Sequence, residues 1–348
     1  MTGRTQTQRS CLAVPSLGAE AVTVEGLGEA LSAEIGRCVP HDGYWLVGAD
    51  PLTLAASFQT MRNGFGVEGL RTLEREFGLP DEAFPFPELI FGPTPVGVLS
   101  RSAHEHRRSA RLHEVMREVG HGSEMRLALV RGGRVRGGLV LFRRRGARPF
   151  SEPEAAAATR LAGPLAAALQ GFVASKPLRV APLTGPPGVA IVGGDDTIRA
   201  ASPAIRSWMR EHVLAGGPDI DDEALFSALC NITHTARRTA EGTAASRLFT
   251  SRGWVLLHAQ PLDGLAGGDT VVTLQPASGN MLLPVAVEWY GLTPREHDVL
   301  RHLARGRPAK SIARVLGLST HTVNDHMQAV YRKVGVAGRE DLMAALVG

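Results

Sequence analysis

LTPREHDVLRHLARGRPAKSIARVLGLSTHTVNDHMQAVYRKV, residues 292–334, carries the punctuation of three consecutive helices. Thr293 stands as an N-cap, Pro294 takes the first helical position, and Glu296 lies where its carboxylate reaches back to the cap. A capping box with a proline at N1 marks a helix start. Val299, Leu300 and Leu303 form its inward stripe, and Gly306 stops it. A second helix is predicted over about 308–316, with Ile312, Ala313 and Leu316 inward and Gly317 as a left-handed cap. Ser319 caps a third, about 320–334, whose Val323, Met327, Val330 and Val334 share one face. A fourth, about 339–347, closes the chain. Two helices joined by Gly317-Leu318-Ser319, the second capped and amphipathic, have the form of a helix-turn-helix.

Upstream of this segment the chain divides by composition. Ser175–Gly188 holds four prolines in fourteen residues, which exclude a helix and disfavour a central strand, so it reads as a linker. A second boundary is read near Pro276–Pro284. Three modules follow, at 20–175, 187–277 and 285–348, behind about 18 polar residues expected to fray. The expected fold class is α+β for the first two, antiparallel sheets with helices, followed by an all-α four-helix domain.

In the first module, Val24–Val39 has helical spacing and Gly43–Gly48 is strand-like. A polar helix is predicted over Ser102–Val119. Met125–Arg131 and Arg134–Arg143 flank Gly132-Gly133 as a hairpin, and Ser151 with Glu154 opens a closing helix. In the second, short strands at Gly188–Val192 and Thr197–Ala200 precede a helix capped by Ser202. A longer helix at about 223–238 leads to strands within 246–260 and 270–275.

The 348 residues are 44% apolar and 21% charged, ordinary for a folded chain. No apolar run reaches the ~20 residues of a membrane-spanning helix, and the N-terminus has no secretion-signal core. Cys11, Cys38 and Cys230 are far apart and form no CxxC pair, so a reducing cytoplasm is the expected compartment and no membrane is expected. The net charge of +4 is unevenly spread: +4 over residues 1–179, −3 over 180–284 and +3 over 285–348. Separate modules with separate tasks are the natural reading.

The segment 292–348 resembles the LuxR-type (NarL/FixJ-like) DNA-binding domain. The likeness rests on Leu292-Thr293-Pro294-Arg295-Glu296, Val299-Leu300, Leu303-Ala304, Gly306, Lys310, Ile312-Ala313, Leu316-Gly317-Leu318-Ser319, Thr322-Val323, His326, Lys333, Gly335-Val336, Arg339 and Leu342. The first module resembles a GAF domain and the second a PAS-like sensor, both by order of elements, an arrangement familiar in actinobacterial members. The resemblance implies a transcriptional regulator that binds double-stranded DNA as a homodimer. RNA polymerase and an unidentified small-molecule effector are left open as partners, and no cofactor is implied.

Carried over by position, Lys310 and Thr322 hold backbone phosphates, with Ser319 as cap and phosphate donor. His326, Tyr331 and Lys333 add backbone contacts. Asn324, Asp325 and Gln328 are the base-edge readers, and Thr320 and Val323 complete the DNA-binding set. Asn and Gln suit adenine and Asp suits cytosine N4. The sequence departs from the family pattern at 324, usually Lys, at 325, often Asn, and at Pro308, usually a Ser cap. On the fourth helix Leu342 and Leu346 form one stripe and Met343 and Val347 another, the second implied as the dimer seam.

Other clusters have plainer readings. His104, His106, His113 and His121 do not converge as metal ligands, so no metal site is expected. The arginines between Arg131 and Arg148 read as a solvated hairpin, with an anionic effector as the other option. Asp219, Asp221, Asp222 and Glu223 lack calcium-loop spacing and suit a helix N-terminus. Cys230 reads as core. No nucleophile elbow, HExxH or phosphate loop appears, so no catalytic residue is assigned and an enzyme is not expected. The competing reading is a ligand-binding scaffold or enzyme whose C-terminal bundle makes only protein contacts.

Overall fold

The computed structural model describes residues 6–65, 83–100, 109–113, 115–182, 186–212, 221–262, 268–277 and 279–347. The predicted helix over Ser102–Val119 lies partly outside this set, and so do His104, His106 and Asp219. What is described of it is two short helices, α4 (Ala110–His113) and α5 (Val115–Glu118).

Two five-stranded antiparallel sheets dominate the N-terminal region. The first holds β1 (Gly43–Ala49), β2 (Ala56–Arg62), β3 (Val96–Ser100), β4 (His121–Arg131) and β5 (Arg134–Arg144), in the order β2-β1-β5-β4-β3. The second holds β6 (Gly188–Val192), β7 (Ile198–Ala201), β8 (Ala244–Thr250), β9 (Gly253–Pro261) and β10 (Thr270–Pro276), in the order β7-β6-β10-β9-β8. The two orders are the same when each sheet is counted from its own first strand. The centre of each is apolar on both strands, as in the pairs Leu46↔Leu139 and Val272↔Ala259. Gly132 and Gly133, both at positive φ, make the tight β4–β5 turn.

The stretch expected to fray is helical where it is described, from residue 6 on. Gln6–Glu20 is a helix, α1, laid along α6 (Glu152–Ala174). Small residues allow the contact: a Cβ on Gly18 would lie 1.9 Å from the Ala168 carbonyl oxygen. Val14 is fully buried between them. Leu17 packs on the same core, so the polar composition of residues 1–18 concealed apolar contacts to a partner helix far along the chain. Between them comes α2 (Val24–Gly36), capped by Thr23, whose hydroxyl accepts from the Gly26 N–H at 3.0 Å. The short helix α3 (Phe86–Phe91) follows the first β-hairpin.

The start of α6 is held by Glu154, whose carboxylate accepts from the Ser151 N–H at 2.8 Å and from Arg143 at 2.6 Å. Burial alone would push this carboxyl up. The Arg143 guanidinium and the Ser151 donors outweigh it and hold the group at about 2, against an ordinary 4.5. A carboxyl lowered in the folded state stabilises fully above its unfolded value, and that contribution is lost as pH falls from about 4.5 towards 2. Glu154→Gln is therefore expected to lower the urea midpoint at pH 7 and to do so less at pH 3. An equal loss at both pH values would show that packing, not charge, carries the effect.

In the second module, α7 (Pro203–His212) and α8 (Asp222–Arg238) cover the sheet. Asp221 caps α8, its carboxylate accepting from the Ala224 N–H at 2.8 Å, and Cys230 is buried on the same helix. The buried Asp196 joins the β6–β7 turn to α8 through Arg237 at 2.6 Å and His234 at 3.0 Å.

The two sheets meet along β2 and β8. The Thr53 hydroxyl donates to the Ala245 carbonyl at 2.7 Å, and the Ser246 hydroxyl donates to the Ala56 carbonyl at 2.6 Å. Beside them the fully buried Asp50 accepts from the Arg247 guanidinium at 2.9 Å. Arg247 Nε in turn donates to the Met281 carbonyl at 2.7 Å.

Met281 belongs to α9 (Gly279–Trp289), which occupies the stretch read as a second boundary. Pro284 sits inside this helix and costs it a hydrogen bond. Burial of Leu282, Leu283, Val285, Ala286 and Trp289 outweighs that cost. The arginine hairpin is not simply solvated either. Arg134 and Arg136 both pair with Glu288 on α9, and Arg136 lies over the Trp289 ring at 5.5 Å.

Over residues 177–182 the proline-rich stretch is extended, as its composition requires, but it is packed. Leu178 N–H donates to the Val334 carbonyl and Val180 N–H to the Ala345 carbonyl, each at 2.8 Å. Arg179 and Ala181 exchange backbone bonds with Trp254 of β9, each at 2.9 Å. One continuous apolar core runs from Val14 through Trp254 to Leu346. No helix among the described residues is long and apolar enough to cross a membrane.

Candidate nucleic-acid interface

The C-terminal region is helical: α10 (Pro294–Leu303), α11 (Ala309–Leu316), α12 (Thr320–Val334) and α13 (Arg339–Val347). The α10 cap is formed as read. Thr293 N–H donates to Glu296 Oε2 at 2.7 Å, and Glu296 N–H donates to Thr293 Oγ1 at 3.3 Å. Gly317 at φ 64° and Gly335 at φ 72° end α11 and α12 in the left-handed conformation that a side chain resists. The turn between α11 and α12 is set by Gly317 and by Ser319, whose hydroxyl accepts from the Thr322 N–H at 3.0 Å.

These caps orient α12. Val323, Val330 and Val334 face inward against Val299, Leu300, Leu303 and Ile312, all without solvent exposure. Asn324, Asp325 and Gln328 are therefore exposed together on the opposite side, as one polar strip. Thr320 is exposed beside them, and His326 is half-buried. Lys310 is exposed at the start of α11. Thr322 is half-buried, with its hydroxyl 2.9 Å from that of Ser319.

Three of the residues assigned by resemblance are placed differently from this strip. The Val323 side chain is wholly in the core. Tyr331 is 5% exposed, and its hydroxyl has no hydrogen-bond partner among the described residues. Lys333 donates to Glu296 Oε2 at 2.7 Å and to the Gly291 carbonyl at 3.0 Å, tying the end of α12 to the start of α10. Burial would raise the Glu296 carboxyl, but Lys333 and Thr293 hold it below the usual carboxylate range.

Sequence reading passed over His321. It is exposed, and its ring lies 3.7 Å from the Asp325 carboxylate, one turn away on the same strip. The i,i+4 spacing of the two was the available signal. Exposed Arg332 continues the strip beyond Gln328. On α13, Leu342 and Leu346 are buried and Met343 is half-buried, while the Val347 side chain lies outside the described residues. Leu346 packs on α9, where a Cβ on Gly279 would meet it at 3.0 Å.

Residues 291–346 match the family described as bacterial regulatory proteins, luxR family. The C-terminal segment is thus a luxR-family helix-turn-helix domain. Over 79 residues the chain is 37% identical to an HTH-type transcriptional regulator of Mycobacterium bovis, Mb0914c, covering 23% of this chain and 9% of that protein. A second, from Mycobacterium tuberculosis, Rv0890c, is 35% identical over the same length. The chain spans about a tenth of the length of these curated relatives. Among solved structures, Escherichia coli SdiA is similar at 12% identity, covering 96% of each chain with a TM-score of 0.34. The phage VqmA–DPO complex is similar at 20% identity over 46% of this chain and 82% of that one, with a TM-score of 0.21.

Proposed function

We propose that the chain is a DNA-binding transcriptional regulator, with a GAF-like module at 20–175 and a PAS-like module at 187–277 governing a DNA-binding domain at 285–348. The carrying observation is the α12 strip of Asn324, Asp325 and Gln328, exposed opposite a fully buried valine face, with Lys310 exposed at the start of α11. A helix of this kind enters a major groove with its polar side on the base edges. The like strand order of the two sheets supports the paired sensory modules. In this reading Ser319, Thr320, Thr322 and His326 approach the backbone, and Lys333 and Tyr331 serve through α12 placement. Two copies act together, with Met343 and Val347 at the seam and RNA polymerase as the downstream partner.

The test is selection of sites from random duplexes by the full chain, followed by affinity against salt. Lys310→Ala is expected to weaken binding uniformly across sequences and to lower the log–log salt slope by about one. An unchanged slope removes Lys310 from the phosphate contacts. Gln328→Ala is expected to lose about 1–3 kcal/mol on the selected site and little on random duplex. Equal losses on both would make Gln328 a positioning residue. No selected site and no salt dependence would overturn the regulator reading in favour of a bundle that contacts only protein.

A further inference from the structure

A cleft of about 220 Å³ opens between β2 of the first sheet and β8 of the second, where the two modules meet. That is less than the about 300 Å³ of the smallest drug-sized sites and more than the about 150 Å³ that takes up benzene. Ala228 and Ile232 of α8, Leu248 of β8 and Leu257 of β9 form an apolar wall. Exposed Val22 stands at the rim.

One polar group breaks this lining. Ser57 of β2 is 1% exposed, and its hydroxyl has no hydrogen-bond partner. Among the described residues that line the cleft, it is the one buried side-chain polar atom in that condition. A buried hydroxyl left unsatisfied costs free energy, and native folds retain few of them. The backbone sets Ser57 apart as well. Ala49 pairs with Ala56 and Gly48 with Phe58, so Ser57 is the extra residue of a β-bulge. Bulges recur next to active sites, where they re-aim a side chain. The neighbouring Ala56 is held by the second module: its N–H donates to Asn231 Oδ1 at 2.9 Å, and its carbonyl accepts from the Ser246 hydroxyl at 2.6 Å. Ser57 is thereby fixed beside α8 and β8, which carry the apolar wall.

Other polar groups of the cleft are committed within the fold. Thr250 Oγ1 donates to the Gly253 carbonyl at 2.8 Å, and Thr23 Oγ1 accepts from the Gly26 N–H at 3.0 Å. A lysine has three donors. Those of Lys176 go to the Ala21 carbonyl at 3.0 Å, the Ser175 hydroxyl at 3.2 Å and the Phe172 carbonyl at 3.4 Å. No other lysine or arginine is among the described lining residues, so the cleft is not built for an anion.

We propose that this cleft binds a small neutral molecule with an apolar body and one hydrogen-bonding oxygen, the oxygen at Ser57 and the body against Ala228, Ile232, Leu248 and Leu257. A hydroxyl both donates and accepts, so Ser57 serves a phenol, an alcohol or a ketone alike. The ligand touches both modules, because β2 lies on one side of it and α8 and β8 on the other. This inference stands apart from DNA binding, and its test reads binding of the small molecule alone.

The experiment is ligand-observed NMR titration of the full chain with 4-ethylphenol and with ethylbenzene, which lacks the hydroxyl. Both are expected to bind. Ser57→Ala is expected to weaken 4-ethylphenol about threefold or more, the worth of one net hydrogen bond, and to leave ethylbenzene unweakened. Without ligand the same variant is expected to keep or raise the urea midpoint, because it removes an unsatisfied hydroxyl. Ala228→Trp, which fills the cleft from α8, is expected to lower the affinity of both probes about tenfold or more, with circular dichroism unchanged. No binding of 4-ethylphenol, equal effects of Ser57→Ala on the two probes, a lowered urea midpoint in Ser57→Ala, or full affinity in a folded Ala228→Trp chain would each overturn the assignment.

Discussion

Arg247→Met is expected to destabilise the chain by about 3–5 kcal/mol, the usual cost of leaving one member of a buried ion pair without its partner. Asp50 is fully buried and accepts two bonds from the Arg247 guanidinium, at 2.9 and 3.1 Å, and one from the Arg247 N–H at 2.8 Å. It also accepts from the Leu52 and Thr53 N–H groups at the end of β1. Methionine fills a similar space but withdraws the charge, and the carboxylate cannot reach water. The same substitution frees the Met281 carbonyl of α9, so three elements lose one fastener at once. Urea unfolding at pH 7 measures the loss. The matched Asp50→Leu, Arg247→Met pair is expected to recover only part of it, because it removes the orphan charge but leaves the Leu52, Thr53 and Arg247 N–H groups without their acceptor. A loss under about 1 kcal/mol in Arg247→Met would show that the pair is a bystander to packing.

Neither Asp50 nor Arg247 was legible as a pair, since 197 residues separate them. What the sequence does make legible is local. The α10 capping box, the Gly317 and Gly335 stops and the valine stripe of α12 lie within a few residues of one another, and each has a single structural meaning. The same holds for Gly132-Gly133 and for Ser151 with Glu154. Misreadings occurred where a distant partner overrides local character. Residues 6–20 look polar until α6 supplies small residues for Gly18 to approach, and Pro284 looks like a boundary until the burial of Leu282 and Trp289 is weighed against it. At the candidate interface, exposure of Asn324, Asp325 and Gln328 follows from helical period alone. The commitment of Lys333 to Glu296 does not, because it needs the crossing of α10 and α12.

Leu178→Asp is expected to cost more than about 4 kcal/mol and to change how the chain unfolds, because it places a charge where the modules share one core. Leu178 has no exposed surface. Its N–H bonds to Val334 at the end of α12, two residues before Val180 bonds to Ala345 in α13, while Arg179 and Ala181 hold β9. This short extended stretch is therefore stitched to the second sheet on one side and to the helix-turn-helix on the other. Proline at 177 and 182 keeps it from folding into a helix that would consume those same N–H groups. With the core continuous from Val14 to Leu346, the intact chain is expected to melt in a single calorimetric transition. A carboxylate at 178 separates the helix-turn-helix from Trp254 and the sheets, and the transition is expected to split in two, the helical region unfolding on its own. A single transition at the wild-type temperature would mean that the stretch is only a tether. The two regions would then be held as one body by other contacts, and a signal in the sheets would have to reach α12 by way of α9 and its Glu288 contacts instead.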